Sequence, residues 1–277
     1  MKAFGKINIG LNILGKRDDG YHNIETIFTP IDVYDSIDLF ESNEIVIETN
    51  LDYLPTDENN ICYKAAKILR EKYLHDEGVH IKLIKKIPIG AGLGGGSSDA
   101  AVILNELNKM WKLNLSYNEL FKIALSLGSD VPYFLKEGMA YALGRGEELT
   151  YIDLKLPYYI VVVYPNLSVS TKWAYEKYKE KENSNLVEYN KLIQLAIKEP
   201  DIFREKFIND FEEIVFKRYA GLISIKNVLY EKNALFASLS GSGSALFGFY
   251  LYEKDALRAN DAFSSRFKTF ISYPDFN

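Results

Sequence analysis

Pro88-Ile-Gly-Ala-Gly-Leu-Gly-Gly-Gly-Ser-Ser-Asp-Ala-Ala101 is the stretch on which the reading of this chain turns. Five glycines fall within residues 90–96, directly ahead of an alanine-rich segment with helical character. Glycine lets the backbone take positive φ and lets a ligand approach the amides closely. A helix after such a loop adds unpaired N–H groups and the positive end of its dipole. Together they suit a polyanion such as a triphosphate, cradled by Pro88, Ile89, Gly90, Ala91, Gly92, Leu93, Gly94, Gly95, Gly96, Ser97 and Ser98. The competing readings are a flexible linker, or a helix simply capped by Ser97 or Ser98. A linker would not usually stand between a strand and an alanine-rich helix.

The loop differs from the common phosphate binders. No Lys lies between Gly90 and Ser98, so it is not a Walker A loop. Gly90, Gly92 and Gly95 match GxGxxG, but no acidic residue stands in Lys109–Leu115, where a dinucleotide fold places its ribose ligand. The preceding strand, with Val79, Ile81 and Leu83, alternates, whereas a Rossmann first strand is usually buried on both faces. A protein-kinase loop would run into a hairpin, and the chain has no HRD or DFG signature after it.

Working outward, residues 3–13 alternate as a strand does, and Gly15–Gly20 reads as a turn. Ile31–Phe40 and Glu44–Thr49 look like strands paired around Ser42-Asn43. Asn60–Tyr73, Ser97 to about Trp111, Ser116–Leu127 and Asp201–Tyr219 have helical spacing. Met139–Leu143 and Leu149–Leu154 can form strands, and Tyr158–Tyr164 has the continuous apolar pattern of a buried one. Lys177–Asn190 is a helix end and loop. Leu235–Leu239 and Ala245–Leu251 flank a second glycine-rich turn, Ser240-Gly-Ser-Gly-Ser244. A boundary near residue 155 divides the chain into 1–155 and 156–277, although no Pro/Gly/Ser linker marks it.

The 277 residues, 47% hydrophobic and 26% charged, are those of an ordinary globular protein. A net charge of −5 with interspersed signs argues against nucleic acid as a partner. The single cysteine, Cys62, excludes an internal disulfide and reads as a small buried hydrophobe. His22, His75 and His80 show no HExxH spacing, so no protein-built metal site is expected. Lys6, Asn8 and Asn12 interrupt the opening segment, which therefore lacks a signal-peptide core, and no apolar run could span a bilayer. A cytoplasmic protein without membrane contact, monomeric or weakly dimeric, is the expectation.

Pro88–Ala101 resembles the ATP-binding motif of the GHMP kinases, named for galactose, homoserine, mevalonate and phosphomevalonate kinases. Gly5-Lys-Ile-Asn-Ile-Gly-Leu-Asn-Ile-Leu-Gly-Lys-Arg-Asp-Asp-Gly-Tyr-His22 and Gly128-Ser-Asp-Val-Pro-Tyr-Phe134 are similar to segments of one branch. That branch phosphorylates an alcohol bearing a cytidine diphosphate group. Ser240–Ser244 matches the family's third glycine-rich motif, so the resemblance runs from residue 5 to residue 244. It departs at Phe4-Gly5, where the family commonly has Pro-Ala.

The resemblance implies an α/β (α+β), two-domain GHMP kinase fold. Its N-terminal domain would be ribosomal-protein-S5-domain-2-like, its C-terminal domain ferredoxin-like. It implies ATP as donor, with Mg²⁺ carried mainly by the nucleotide and water. Asp130 would be the general base, with Lys6 beside it keeping it ionised or stabilising the transferring phosphoryl group. On the residues alone, Asp130 reads equally well as an N-cap before Val131-Pro132, and Lys6 as a solvated strand residue. By the same resemblance Tyr21 and Tyr175 offer faces to cytosine, His22 bonds the base edge, and Asn8 and Thr171 contact the polyol or phosphate region. Asn60 opens the helix near adenine. The rival readings are another GHMP kinase of the homoserine or mevalonate type, which would not need Gly20-Tyr-His22, and a catalytically inactive nucleotide-binding module.

Overall fold

The computed structural model describes residues 1–73, 76–179, 184–274 and 276, so His75 and part of the Lys177–Asn190 stretch lie outside the described residues. Two compact units alternate along the chain. Met1–Gly5, Val33–Pro88 and Gly94–Glu137 form the first; Lys6–Asp32, Ile89–Leu93 and Gly138–Asn277 form the second.

Strands β1 (Lys2–Lys16) and β2 (His22–Ser42) pair with each other and each contribute to both units. In the first unit the last part of β2 runs antiparallel to β4 (Gly78–Ile84), with Ile37 opposite Leu83 and Leu39 opposite Ile81. Strand β3 (Ile45–Thr49) lies on the other side of β4 and parallel to it. The expected pairing of Ile31–Phe40 with Glu44–Thr49 is therefore corrected: β4 comes between them. The reason lies in the segment between β3 and β4. There helix α1 (Ile61–Tyr73) carries the chain back for a parallel pairing, whereas two residues of polar break suggest a hairpin.

Helix α1 buries Cys62, Ala65, Ala66 and Leu69, one helical face. It packs on α2 (Gly95–Met110), which buries Ala100, Ala101, Ile103, Leu104 and Leu107. Helix α3 (Tyr117–Leu127) opens on a capping box: Ser116 Oγ accepts the Glu119 amide, and Glu119 Oε2 accepts the Ser116 amide at 2.8 Å. These faces and the alternating apolar residues of β4 form one core. Helix α2 starts two residues earlier than the alanine-rich run suggests.

In the second unit Thr26–Phe28 of β2 pairs with β5 (Met139–Leu143), which forms a hairpin with β6 (Glu148–Ile152). A separate antiparallel sheet has the order β10-β7-β9-β8. Its strands are β7 (Tyr159–Tyr164), β8 (Phe236–Leu239), β9 (Leu246–Tyr250) and β10 (Lys268–Ser272). Val161 and Val163 of β7 and Leu246 of β9 pack against Phe211, Leu229 and Phe263. The helices here are α4 (Thr171–Lys177), α5 (Tyr189–Lys198), α6 (Asp201–Lys206), α7 (Glu212–Arg218), α8 (Gly221–Glu231) and α9 (Glu253–Ser264).

The single helix expected over Asp201–Tyr219 is thus two, and the break has a cause. The Leu11 amide of β1 donates to Ile208 O and the Asp210 amide to Leu11 O, both at 2.9 Å. Asn209 caps the new turn by accepting the Phe211 amide, and its Nδ2 donates to Leu239 O and Gly241 O at 2.8 Å. Backbone groups that a helix would use internally are committed to β1, and the Asn209 side chain holds the break to Leu239 and to the second glycine-rich turn. Removing the 1%-exposed Asn209 side chain takes the buried donor away from Leu239 O and Gly241 O and the acceptor away from the Phe211 amide. Asn209→Ala is expected to lose about 1–3 kcal/mol of stability, read from urea unfolding at unchanged m-value.

Candidate active site

Gly90, Gly92 and Gly94 hold φ of +67°, +78° and +70°, and the residues between them, Ala91 and Leu93, are buried. The loop is thus pinned by alternate side chains and turned by alternate glycines. Its carbonyls are taken up from the protein side. Ala91 O accepts the Ala245 amide at 3.0 Å; Gly92 O accepts Ser240 Oγ at 2.9 Å and Lys6 Nζ at 3.2 Å; Leu93 O accepts the Lys6 amide at 2.9 Å. Among the described residues, no amide from 92 to 97 donates to a protein acceptor. Helix α2 then begins at N-cap Gly94, in the left-handed region, without a side-chain cap. A run of amides at a helix N-terminus, with no internal acceptor, can take an anion. The alternative of a helix capped by Ser97 or Ser98 does not hold.

Lys6 is 3% exposed, so it is not the solvated strand residue it resembles in isolation. Its ammonium donates to Asn8 Oδ1 at 2.7 Å and lies 5.0 Å from the centre of the Phe28 ring. Asn8 Nδ2 donates to Thr26 Oγ1 at 3.1 Å, and Thr26 Oγ1 donates to Gly10 O at 2.6 Å. This chain fixes the Asn8 amide with its oxygen toward Lys6. Lys6 belongs to the second unit and Asp130 to the first. Asp130 stands at the N-cap position of a short 3₁₀ turn, Val131–Leu135, yet its side chain makes no capping hydrogen bond. It is half-buried, and the N-cap reading does not explain it.

His22 stacks on Tyr175, with centroids 4.8 Å apart and planes at 15°. Phe211 meets Tyr175 at 84°, and Tyr178 stands edge-on to His22. Tyr21 is 54% exposed, and the Arg145 guanidinium lies 4.7 Å from its ring centre. Thr171 Oγ1 and Ser242 Oγ are 2.8 Å apart, which ties the start of α4 to the second glycine-rich turn. Asn60 opens α1 as expected: its Oδ1 accepts the Cys62 amide at 2.8 Å, and its Nδ2 donates to Pro55 O at 2.7 Å.

Sequence reasoning missed Arg145, Ser242 and Glu25. Glu25 is fully buried and accepts four donors: Asn12 Nδ2, the Tyr141 hydroxyl and the amides of Val187 and Tyr189, at 2.7–3.1 Å. A signal was available, since a glutamate interrupts the run Ile24–Phe28 three residues after His22. Burial, with Glu25 adding, pushes the Tyr141 and Tyr189 phenols up, so both remain protonated. Burial likewise pushes the Cys62 thiol well up, which makes it an inert core residue. Among the described residues no group of three or more His, Cys, Asp or Glu could hold a metal, and no helix is long and apolar enough to cross a membrane.

A left-handed glycine loop feeding an uncapped helix, with a buried ammonium against its carbonyls, gives this α/β protein an arrangement that can take an oligophosphate. The chain belongs to the GHMP kinases: their N terminal domain matches residues 60–138 and their C terminal domain residues 197–269. It is 44% identical to 4-diphosphocytidyl-2-C-methyl-D-erythritol kinase of Pelodictyon phaeoclathratiforme, covering 100% of this chain and 97% of that one. It is 46% identical to the kinase of that name from Chlorobium chlorochromatii, with 98% and 95% covered. A crystal structure of 4-(cytidine 5'-diphospho)-2C-methyl-D-erythritol kinase superposes with a TM-score of 0.83 at 31% identity, covering 98% and 97%. A mevalonate kinase structure, at 19% identity and a TM-score of 0.73, shares the fold. The architecture is the two-domain GHMP kinase fold.

The loop's dependence on glycine is testable at Gly92, where an added Cβ would be driven into Ser240 O and φ is positive. Gly92→Ala is expected to cost about 1–3 kcal/mol in thermal unfolding and to lose calorimetric binding of ADP.

Proposed function

We propose that this protein is an ATP-dependent kinase that phosphorylates the 2-hydroxyl of 4-diphosphocytidyl-2-C-methyl-D-erythritol, a step of the non-mevalonate isoprenoid pathway. The observation that carries the reading is the run of amides from 92 to 97 without protein acceptors, beside loop carbonyls at Ala91, Gly92 and Leu93 that are all engaged. The whole-length relatives, 44% and 46% identical and named for this activity, support the acceptor. The cytoplasm is the compartment this reading implies.

Phosphoryl transfer asks a protein mainly for positioning and charge stabilisation. In this reading the β- and γ-phosphates of ATP lie on the loop and the N-terminus of α2, with the nucleoside toward Asn60. Mg²⁺, when bound, neutralises phosphate charge; with no carboxylate cage among the described residues, the metal suits a nucleotide-borne site. Lys6 is a fixed positive charge for the γ-phosphoryl group, steadied by Asn8 and Gly92 O. Asp130 accepts the acceptor's hydroxyl proton as the new O–P bond forms and the bond to the bridging β–γ oxygen breaks, releasing ADP. Thr171, tied to Ser242, faces the polyol or its phosphates. Cytosine takes the face of Tyr175 that His22 covers, which releases the imidazole to bond the base edge, with Tyr21 as a second platform.

The reading is tested with purified protein, Mg-ATP and a panel of alcohols, following ADP release. Turnover with the cytidine compound and not with homoserine, mevalonate or galactose is expected. Turnover of another alcohol alone would remove the cytidine pocket, and ATP binding without any turnover would leave an inactive nucleotide-binding module.

Asp130→Ala should lower kcat by about 10²–10⁴-fold with the Kd for ATP unchanged; near-wild-type turnover would take Asp130 out of its role. Tyr175→Ala should raise the acceptor KM about tenfold, in line with stacking of about 1–3 kcal/mol per base, and leave the KM for ATP alone.

A further inference from the structure

Beneath the start of α2 the first unit buries three charged side chains together. Asp35 of β2, Lys85 beyond β4 and Asp99 of α2 are 0%, 7% and 1% exposed. The Lys85 ammonium donates to Asp35 Oδ2 and, at 2.6 Å, to Asp99 Oδ2. The two carboxyls are not equivalent. Asp35 Oδ1 accepts the amides of Lys86 and Ile87, so both of its oxygens are engaged. Asp99 Oδ1 is buried and has no partner among the described residues.

The cluster grips the glycine-rich loop at both ends. Asp35 fixes the amides of residues 86 and 87, which lead into Pro88. Lys85 fixes Asp99, one turn into α2, and is packed against the first residue of that helix: a Cβ on Gly95 would lie 3.3 Å from Lys85 Nζ and 2.9 Å from Ile87 Cγ2. We propose that Asp35, Lys85 and Asp99 are positioning residues for the phosphoryl donor, holding the chain on either side of the loop so that the α2 amides stay where they receive phosphate. The inference rests on the kinase reading above.

The charge state comes from the same geometry. Two carboxylates and one ammonium would bury an uncompensated negative charge, which is expensive, whereas a neutral carboxyl is far less so. Both oxygens of Asp35 already accept donors, two amides and the ammonium, whereas Asp99 Oδ1 accepts none, so the proton is assigned to the Asp99 carboxyl. Burial pushes the Asp99 carboxyl up to about 7, with Lys85 opposing and Asp35 adding. Burial pulls Lys85 down, but Asp99 and Asp35 outweigh it and keep the ammonium charged. The groups that face Asp99 among the described residues are Asp35 of β2, Lys85 and the Cys62 thiol of α1. Because the carboxyl is raised, its contribution to the folded state is complete at acid pH and is lost as pH rises through about 7. The charge that then develops behind the α2 N-terminus opposes a phosphate.

Lys85→Met would strand two buried carboxylates and can simply fail to fold. The test therefore uses Asp99→Leu, which leaves Lys85 paired with Asp35, and Asp99→Asn, with native structure first verified by circular dichroism. The Kd for ATP is measured calorimetrically on the full chain, alongside KM for ATP and for the acceptor. Asp99→Leu is expected to raise the Kd for ATP about tenfold while the acceptor KM stays within about twofold. Between about pH 6 and about pH 8 the wild-type Kd for ATP should rise severalfold relative to that of Asp99→Asn. A folded Asp99→Leu protein with wild-type ATP affinity, an equal loss of both affinities, or parallel pH profiles would overturn the proposal. Wild-type protein that binds no ATP at all would instead bring down the kinase reading on which it stands.

Discussion

The course of the backbone through Gly90, Gly92 and Gly94 is the constraint on which the candidate site depends. Three residues at positive φ, alternating with buried Ala91 and Leu93, favour glycine at the turning positions, and at Gly90 and Gly92 an added Cβ would also run into Ser168 Oγ and Ser240 O. Such a path is costly for a free chain, because glycine loses the most conformational entropy on ordering. What holds it is the capture of its carbonyls by Lys6, Ser240 and Ala245. A peptide unit with its carbonyl directed into the protein has its N–H directed the other way. The donors left over on the next amides are therefore a consequence of how the loop is tied down, and they are what the proposed phosphate binding would use.

Buried polar groups perform the tying in both units. In the second, Glu25 accepts four donors, and Lys6, Asn8, Thr26 and Gly10 form a hydrogen-bonded chain. In the first, Asp35 and Lys85 do so. Arrangements of this kind contribute little net stability, since desolvation offsets most of the attraction, but breaking one partner away leaves a buried charge at a cost of about 3–5 kcal/mol. Their effect is to fix geometry. An apolar core of equal volume would hold the strands together without deciding which way the Asn8 amide or the Lys6 ammonium points.

This division explains what could be read from the sequence. The alternation in β4, the apolar run of β7, the capping box at Ser116 and the glycine loop are local patterns, and each yields its element directly. The pairing of β3 with β4, and the break between α6 and α7, are decided by partners distant in the chain: β4 in one case, Leu11 and Leu239 in the other. Helical spacing persists across residues 207–211, so the sequence pattern alone does not reveal the interruption. Lys6 and Asp130 were legible only through the resemblance, because an isolated Lys in a strand and an Asp before Val-Pro have ordinary explanations. The structure removes those explanations, by burying the one and leaving the other without a capping bond. Glu25 and the Asp35–Lys85–Asp99 cluster were missed because their partners come from up to four separated segments. Their trace in the sequence, a charged residue at a core position, is weak unless the face of the strand is already known.

The chain carries a net charge of −5, yet the site proposed here would take a polyanion, and the kind of recognition this requires can be worked out. A cluster of lysines would attract any anion at long range, and salt would screen it. Backbone amides and a helix dipole act within a few ångströms, carry no net charge and are fixed in direction. An anion is favoured only if its oxygens reach those amides in the right places, so a negative surface and a selective oligophosphate site are compatible. The ammonium of Lys6 fits the same logic. It is already steadied by Asn8 Oδ1 and Gly92 O, so in the proposed kinase reading it would meet developing charge without first being organised, and preorganisation of this kind, rather than the sum of positive charge, would stabilise the transferring phosphoryl group.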